Sequence, residues 1–173
     1  MVRLVATALL IVLSSLAFAD WSVGEGELSV REGQLAPLPP KTGMVAAVEA
    51  KAPDRGVTAR LHAECFNPNS EIALRAVFVV LSEEMATGPL GYRYRFDEGQ
   101  TRTVLMGLPS ETRLTRFLLG DASSANFHRL TAAKRLRLTL MPTNSAEFSF
   151  DFDVTGSETA IKSIPCKEFG RSN

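Results

Sequence analysis

The segments RLRLTL at 135–140 and EFSFDFDV at 147–154 decide the expected fold. Apolar and polar residues alternate in both, which is typical of β-strands with one buried face. If the leucines of the first segment pair with the phenylalanines of the second, Arg135 and Arg137 lie opposite the two aspartates of the second segment. Because the apolar faces and the charges agree on one register, we predict an antiparallel hairpin here.

The same alternation continues towards the N-terminus. Residues 92–96 and 100–106 flank an Asp-Glu-Gly turn, so they are predicted to form a second hairpin. Residues 43–50 and 57–66 flank a Pro-Asp-Arg-Gly turn and are also expected to pair. Three hairpins in one short chain favour a sheet protein without parallel crossovers.

The remaining segments complete the predicted architecture. A strand at 71–81 has apolar residues on both faces, which favours a central position, and a polar loop is expected at 82–89. One short helix is predicted near 122–134, with Asp121 or Ser123 as its N-cap. The fold class is therefore mainly β: an antiparallel β-sandwich with one short helix.

The N-terminal residues have the features of an export signal. A basic start at Arg3 is followed by an apolar run and then by the small-residue site Ala17-Phe18-Ala19. We therefore predict a signal peptide at 1–19, a single β-rich domain at 20–173 and no membrane span after cleavage. An uncleaved anchor is the alternative, but the apolar run is shorter than the roughly 20 residues that a bilayer core requires.

Charge argues against some classes of partner. Without residues 1–19 the chain keeps 18 of its 19 basic residues and all 19 acidic residues, so the net charge is close to −1. Such a balance creates no overall field that would attract nucleic acid or an anionic membrane. The sequence therefore predicts a periplasmic or secreted protein that does not bind nucleic acid.

The two cysteines, Cys65 and Cys166, both lie in the predicted mature chain. An even number of cysteines in an exported protein favours a disulfide. Cys65 alternates with polar residues in its strand, so its sulfur is expected on the apolar face. Two free thiols or a metal-binding pair are the alternatives, although no histidine stands at zinc-ligand spacing.

The sequence contains no nucleophile elbow, P-loop, EF-hand loop or dinucleotide fingerprint, so no catalytic residue, metal or cofactor is predicted. A hydrolase site assembled from scattered residues such as His62, Glu64 and Asp97 is an alternative. A carrier with a small-ligand pocket between the two sheets is another.

A candidate binding patch is formed by Arg93, Arg95 and Arg102. These arginines are expected on the solvent side of the 92–106 hairpin, where they could bind an acidic peptide, a phosphate-bearing lipid or an envelope polyanion. The alternative is a solvated sheet face that the arginine stems cover. No aromatic residue is expected beside them, which further disfavours nucleic acid.

Several short motifs resemble the type VI secretion-associated VasI-like family of small bacterial envelope proteins. They are Leu61-His62-Ala63-Glu64-Cys65, Tyr94-Arg95-Phe96-Asp97-Glu98-Gly99, Phe127-His128-Arg129-Leu130 and the terminal Cys166. The resemblance implies an exported β domain with the same disulfide and no known enzymatic activity. We therefore expect a non-enzymatic accessory or binding protein of the bacterial envelope that has a protein partner, and the resemblance points to a secretion system as its setting.

Overall fold

The computed structural model describes residues 21–28, 42–52, 56–66, 73–86, 91–106, 113–142 and 145–166. The elements of this part, in chain order, are β1 (Ser22–Glu27), β2 (Thr42–Lys51), β3 (Thr58–Phe66), β4 (Leu74–Ala86), β5 (Gly91–Phe96), β6 (Arg102–Leu105), β7 (Arg113–Asp121), α1 (Ala125–Ala132), β8 (Arg135–Met141), β9 (Phe148–Asp153) and α2 (Ser157–Lys162).

The strands form two antiparallel sheets, which confirms the predicted mainly-β sandwich. One sheet has the order β1-β2-β3-β4-β7 and the other has the order β6-β5-β8-β9. All three predicted hairpins are present, and β4 lies between β3 and β7 as its two apolar faces indicated. Arg137 lies opposite Asp151, which is the register expected from the leucine and phenylalanine faces.

The core lies between the two sheets. Phe150, Phe152 and the leucines of β8 are almost completely buried. Tyr92 of β5 packs across the interface on Phe117 of β7, with 4.8 Å between ring centroids. Burial, with a smaller contribution from Tyr94, raises the pKa of Tyr92 above its ordinary value. Side chains from both sheets therefore share one apolar cluster.

A disulfide joins Cys65 of β3 to Cys166, which follows α2. The Cα atoms are 5.3 Å apart, and neither cysteine is free. Cys65 is buried in the core, on the apolar face of its strand. The predicted bridge is confirmed, and the free thiols and the metal-binding pair are wrong.

The helices differ in part from the prediction. Helix α1 lies within the predicted range, but its N-cap is Ser124, whose Oγ accepts a hydrogen bond from the Phe127 amide at 3.3 Å. Asp121 and Ser123 were the wrong caps: Asp121 ends β7, and its carboxylate accepts hydrogen bonds from Ser123. A second helix, α2, brings the chain towards the disulfide.

Two further predictions concern segments that lie partly or wholly outside the described residues. Strand β4 continues to Ala86, five residues into the segment 82–89 that was expected to be a loop. The predicted signal peptide at 1–19 lies outside the described residues. Within the described ranges, no helix has the length and apolar character needed to cross a bilayer.

Candidate ligand-binding cleft

The register of the β5–β6 hairpin separates the three arginines of the candidate patch. Arg93 lies opposite Thr103, whereas Tyr94 lies opposite Arg102. Cross-strand partners share a face, so Arg102 belongs to the face of Tyr94, and Arg93 and Arg95 belong to the opposite face. The prediction that all three share one solvent face is therefore wrong for Arg102.

Arg102 instead borders a cleft of about 410 Å³ between the β5–β6 hairpin and α1. Tyr94 and Phe96 supply aromatic rings, and Ala132 and Ala133 supply small apolar surfaces from the end of the helix and the residue after it. Arg129 contributes a second guanidinium from the last turn of α1. The cleft thus combines two cationic side chains with an apolar floor, which is the composition of many ligand sites.

The hairpin loop that forms one wall is held in a defined conformation. Asp97 has a φ of 45°, in the left-handed region that few non-glycine residues adopt. Its Oδ1 accepts hydrogen bonds from the amides of Lys134 and Arg135 at 3.0 and 2.9 Å. The Gly99 amide donates to the Phe96 carbonyl oxygen at 2.9 Å. These bonds tie the loop to the segment that follows α1 and fix the width of the cleft.

Hydrogen bonds also fix the helix against the hairpin. The Tyr94 hydroxyl lies 2.6 Å from Oδ1 of Asn126 in the first turn of α1. The Asn126 amide group in turn donates to the Leu119 carbonyl oxygen of β7 at 3.2 Å. Leu130 is fully buried, so the helix is anchored in the core below its exposed arginine. Both walls of the cleft are therefore pre-organised.

The two guanidinium groups of the cleft have no acidic partner in the described part of the chain. Arg102 and Arg129 are exposed, and neither side chain makes a hydrogen bond or an ion pair with the described residues. Arg93 and Arg137 differ, because Arg93 pairs with Glu147 and Arg137 forms two bonds of 2.7 Å with Asp151. The cleft therefore presents two guanidinium groups that are not engaged by described carboxylates.

The opposite face of the four-stranded sheet is a network of paired charges. A smaller cavity of about 260 Å³ lies there between Arg93, Arg95 and Arg137. The hydrogen bond from Arg137 holds the pKa of Asp151 below its ordinary value, with smaller contributions from Arg135 and Arg95. Most cationic groups on this face thus have carboxylates nearby, so the face is less suited than the cleft to bind a foreign anion.

The structure brings two of the three candidate hydrolase residues together. On the outer face of the five-stranded sheet, Glu64 Oε2 lies 3.2 Å from His62 Nε2 and 2.9 Å from an Arg116 Nη2. Arg116 also stacks over the Phe78 ring at 4.3 Å. Glu64 is 1% exposed and His62 is 7% exposed, so the group is buried although it faces away from the core.

This group borders a cavity of about 490 Å³. Asp97, the third candidate, belongs to the other sheet's hairpin and binds backbone amides there. Ser22 borders the same cavity as His62, but its hydroxyl donates to the Ala47 carbonyl oxygen at 3.2 Å. The arrangement therefore stabilises a buried carboxylate and does not provide an activated nucleophile.

Among the described residues, no three histidine, cysteine, aspartate or glutamate side chains are grouped so that they could hold a metal ion. No protein-family model, curated protein or solved structure matches this chain. The function must therefore be argued from the geometry of the cleft.

Proposed function

We propose that this chain is a non-enzymatic binding protein, periplasmic or secreted, that engages a protein partner through the cleft between α1 and the β5–β6 hairpin. An accessory role in a bacterial secretion system is the form of this function that its resemblance to VasI-like proteins favours. The partner protein should present an anionic group to the cleft.

One observation carries the proposal. Arg102 and Arg129 border the same cleft without an acidic partner, and aromatic rings form part of the floor between them. Arginines that serve only solubility are usually dispersed over a surface and cover it with their stems. Two unpaired guanidiniums over a concave apolar surface instead suit a ligand with both an anionic and an apolar part.

The disulfide supports an extracytoplasmic location. Disulfides persist in oxidising compartments and are rare in the cytosol. The Cys65–Cys166 bridge closes most of the chain into one loop, with a sequence separation of 101 residues. This constraint on the unfolded chain would stabilise a protein that works in the envelope.

Site-specific photo-crosslinking in the native host tests the proposal. A photoreactive amino acid replaces Ala132, which is exposed beside the cleft, and in a second variant replaces Glu158 on the exposed side of α2 as the control. We expect a defined adduct with one envelope protein from position 132, absent from position 158.

Charge reversal supplies the second control. Adding Arg102→Glu and Arg129→Glu should remove the adduct at position 132, because an anionic partner would then be repelled. If both positions capture the same proteins, or the double charge reversal leaves the adduct unchanged, the cleft is not the binding site and the proposal fails.

A further inference from the structure

We propose that the cleft recognises the C-terminal carboxylate of a peptide or protein whose last side chain is apolar. This inference rests on the proposed binding function and names the ligand within it. It follows from three features of the cleft: the two guanidinium groups, the apolar floor and the carboxylate of Asp97.

The guanidiniums select the charged group. Arg102 enters from β6 and Arg129 from α1, so the two side chains approach the cleft from opposite walls. A carboxylate has two oxygens and can accept hydrogen bonds from two arginines at once. Because neither guanidinium is engaged in the described part of the protein, binding does not have to break an internal ion pair.

The floor selects an apolar neighbour for that carboxylate. The Tyr94 and Phe96 rings lie 5.6 Å apart in an edge-on arrangement, and Ala132 and Ala133 leave space beside them. A volume of about 410 Å³ lies at the small end of the range for ligand sites. It suits one or two residues at a chain end better than a long segment passing through.

Asp97 favours a peptide over a simple polyanion. Its Oδ1 is occupied by two backbone amides, but its Oδ2 accepts no hydrogen bond from the described residues. Oδ2 can therefore accept the backbone N–H of the ligand's last residue. The same negative charge repels a phosphate dianion more strongly than the single charge of a carboxylate, and an anionic membrane surface offers no N–H donor.

Binding of short peptides to the purified mature protein tests the inference. The probe is a fluorescent N-acylated tetrapeptide ending in leucine with a free carboxylate. Its matched control is the same peptide with a C-terminal amide. We expect amidation to raise Kd by about tenfold or more, since it removes the charge and one acceptor oxygen.

Protein variants assign the contacts. Arg102→Gln and Arg129→Gln should each raise the Kd of the free-acid peptide by about tenfold. Neither variant should change the Kd of the weakly binding amide peptide appreciably. Asp97→Asn keeps an oxygen that can accept the hydrogen bonds of the two loop amides. It should bring the Kd values of the peptide and of inorganic phosphate closer together. Arg60→Gln, at an exposed arginine of β3 in the other sheet, is the control and should have no effect.

Other ligands separate failure of this inference from failure of the binding function. If an amidated peptide with an internal glutamate binds equally well and depends on Arg102 and Arg129, the C-terminal specificity is wrong and the proposed function stands. If inorganic phosphate or anionic phosphatidylglycerol vesicles bind more tightly than either peptide, the inference is overturned. Absence of all binding, together with no crosslink at position 132, overturns both.

Discussion

Arg102 lies directly opposite Tyr94 across the hairpin of β5 and β6, so the guanidinium and the aromatic ring belong to the same face of the sheet. The strand β6 is at the edge of its sheet, and its Arg102 side chain is exposed. Helix α1 then places Arg129 on the other side of the same cleft. One cross-strand pair thereby places a cationic group beside an apolar surface.

Arg102 and Arg129 should contribute to binding without contributing to stability. Neither has a partner in the described part of the chain, so Arg102→Gln and Arg129→Gln should change the free energy of unfolding by no more than about 0.5 kcal/mol in urea titrations. Arg75 is the contrast, because it donates to the Ile164 carbonyl oxygen at 3.1 Å, and Arg75→Gln should cost about 1 kcal/mol or more. Large losses in both cleft variants would show that these arginines hold the fold together.

The Arg137–Asp151 pair should make stability depend on acid pH. The pKa of Asp151 is lowered in the folded state, chiefly by the hydrogen bond from Arg137, so the pair stabilises the fold above the unfolded-state pKa of about 4. This contribution is lost as the pH falls through the folded-state pKa. Asp151→Asn should therefore flatten the decrease of unfolding free energy in acid, as measured by urea titrations at successive pH values.

The matched partner variant checks the cause of that effect. Arg137→Gln should return the pKa of Asp151 towards its ordinary value of about 4, as followed by carboxyl NMR. An unchanged pKa in Arg137→Gln would assign the shift to Arg135 and Arg95 instead.

The buried carboxylate of Glu64 should be strongly coupled to Arg116. Arg116→Met removes the guanidinium that lies against this buried carboxylate, so it should cost about 3 kcal/mol at neutral pH. In a double-mutant cycle with Glu64→Gln, the combined loss should be smaller than the sum of the single losses by about 1 kcal/mol or more. Additive losses would mean that the contact at 2.9 Å contributes no specific energy.

The Cys65–Cys166 bridge should be the largest single constraint on the unfolded chain. For a loop of about 100 residues, the chain-entropy model gives about 4–5 kcal/mol. Cys65→Ser, Cys166→Ser and the reduced wild-type protein should therefore all show similar losses in urea titrations. If reduction leaves the midpoint unchanged, the bridge does not stabilise the fold.

Much of the fold could be predicted because side-chain alternation and turn chemistry are local. The leucine and phenylalanine faces defined the β8–β9 register, and Cys65 lies on the core side as its neighbours indicated. The position of Arg102 could also have been predicted. Glu98 is at the centre of the turn, so residues at equal distances before and after it face each other. Tyr94 and Arg102 are each four residues from Glu98 and form such a pair.

The cleft itself could not be predicted from local pattern. It depends on how α1 is placed against a hairpin about 30 residues earlier, through the Tyr94–Asn126 hydrogen bond and the bonds of Asp97. The burial of His62 and Glu64 was missed for a similar reason. Their strand alternation predicts a polar face, but Arg116 and Phe78 reach them only because β4 and β7 lie beside β3.

The most direct test of the account is an NMR titration of the ¹⁵N-labelled protein with the tetrapeptide that ends in a free carboxylate. We predict that the amide shifts will change at Gly99, Arg129 and Ala133, around the cleft, and remain constant at His62 and Ala47 beside the other large cavity. Shifts confined to His62 and Ala47, or no shift at millimolar peptide, would contradict the claim that the cleft is the binding site.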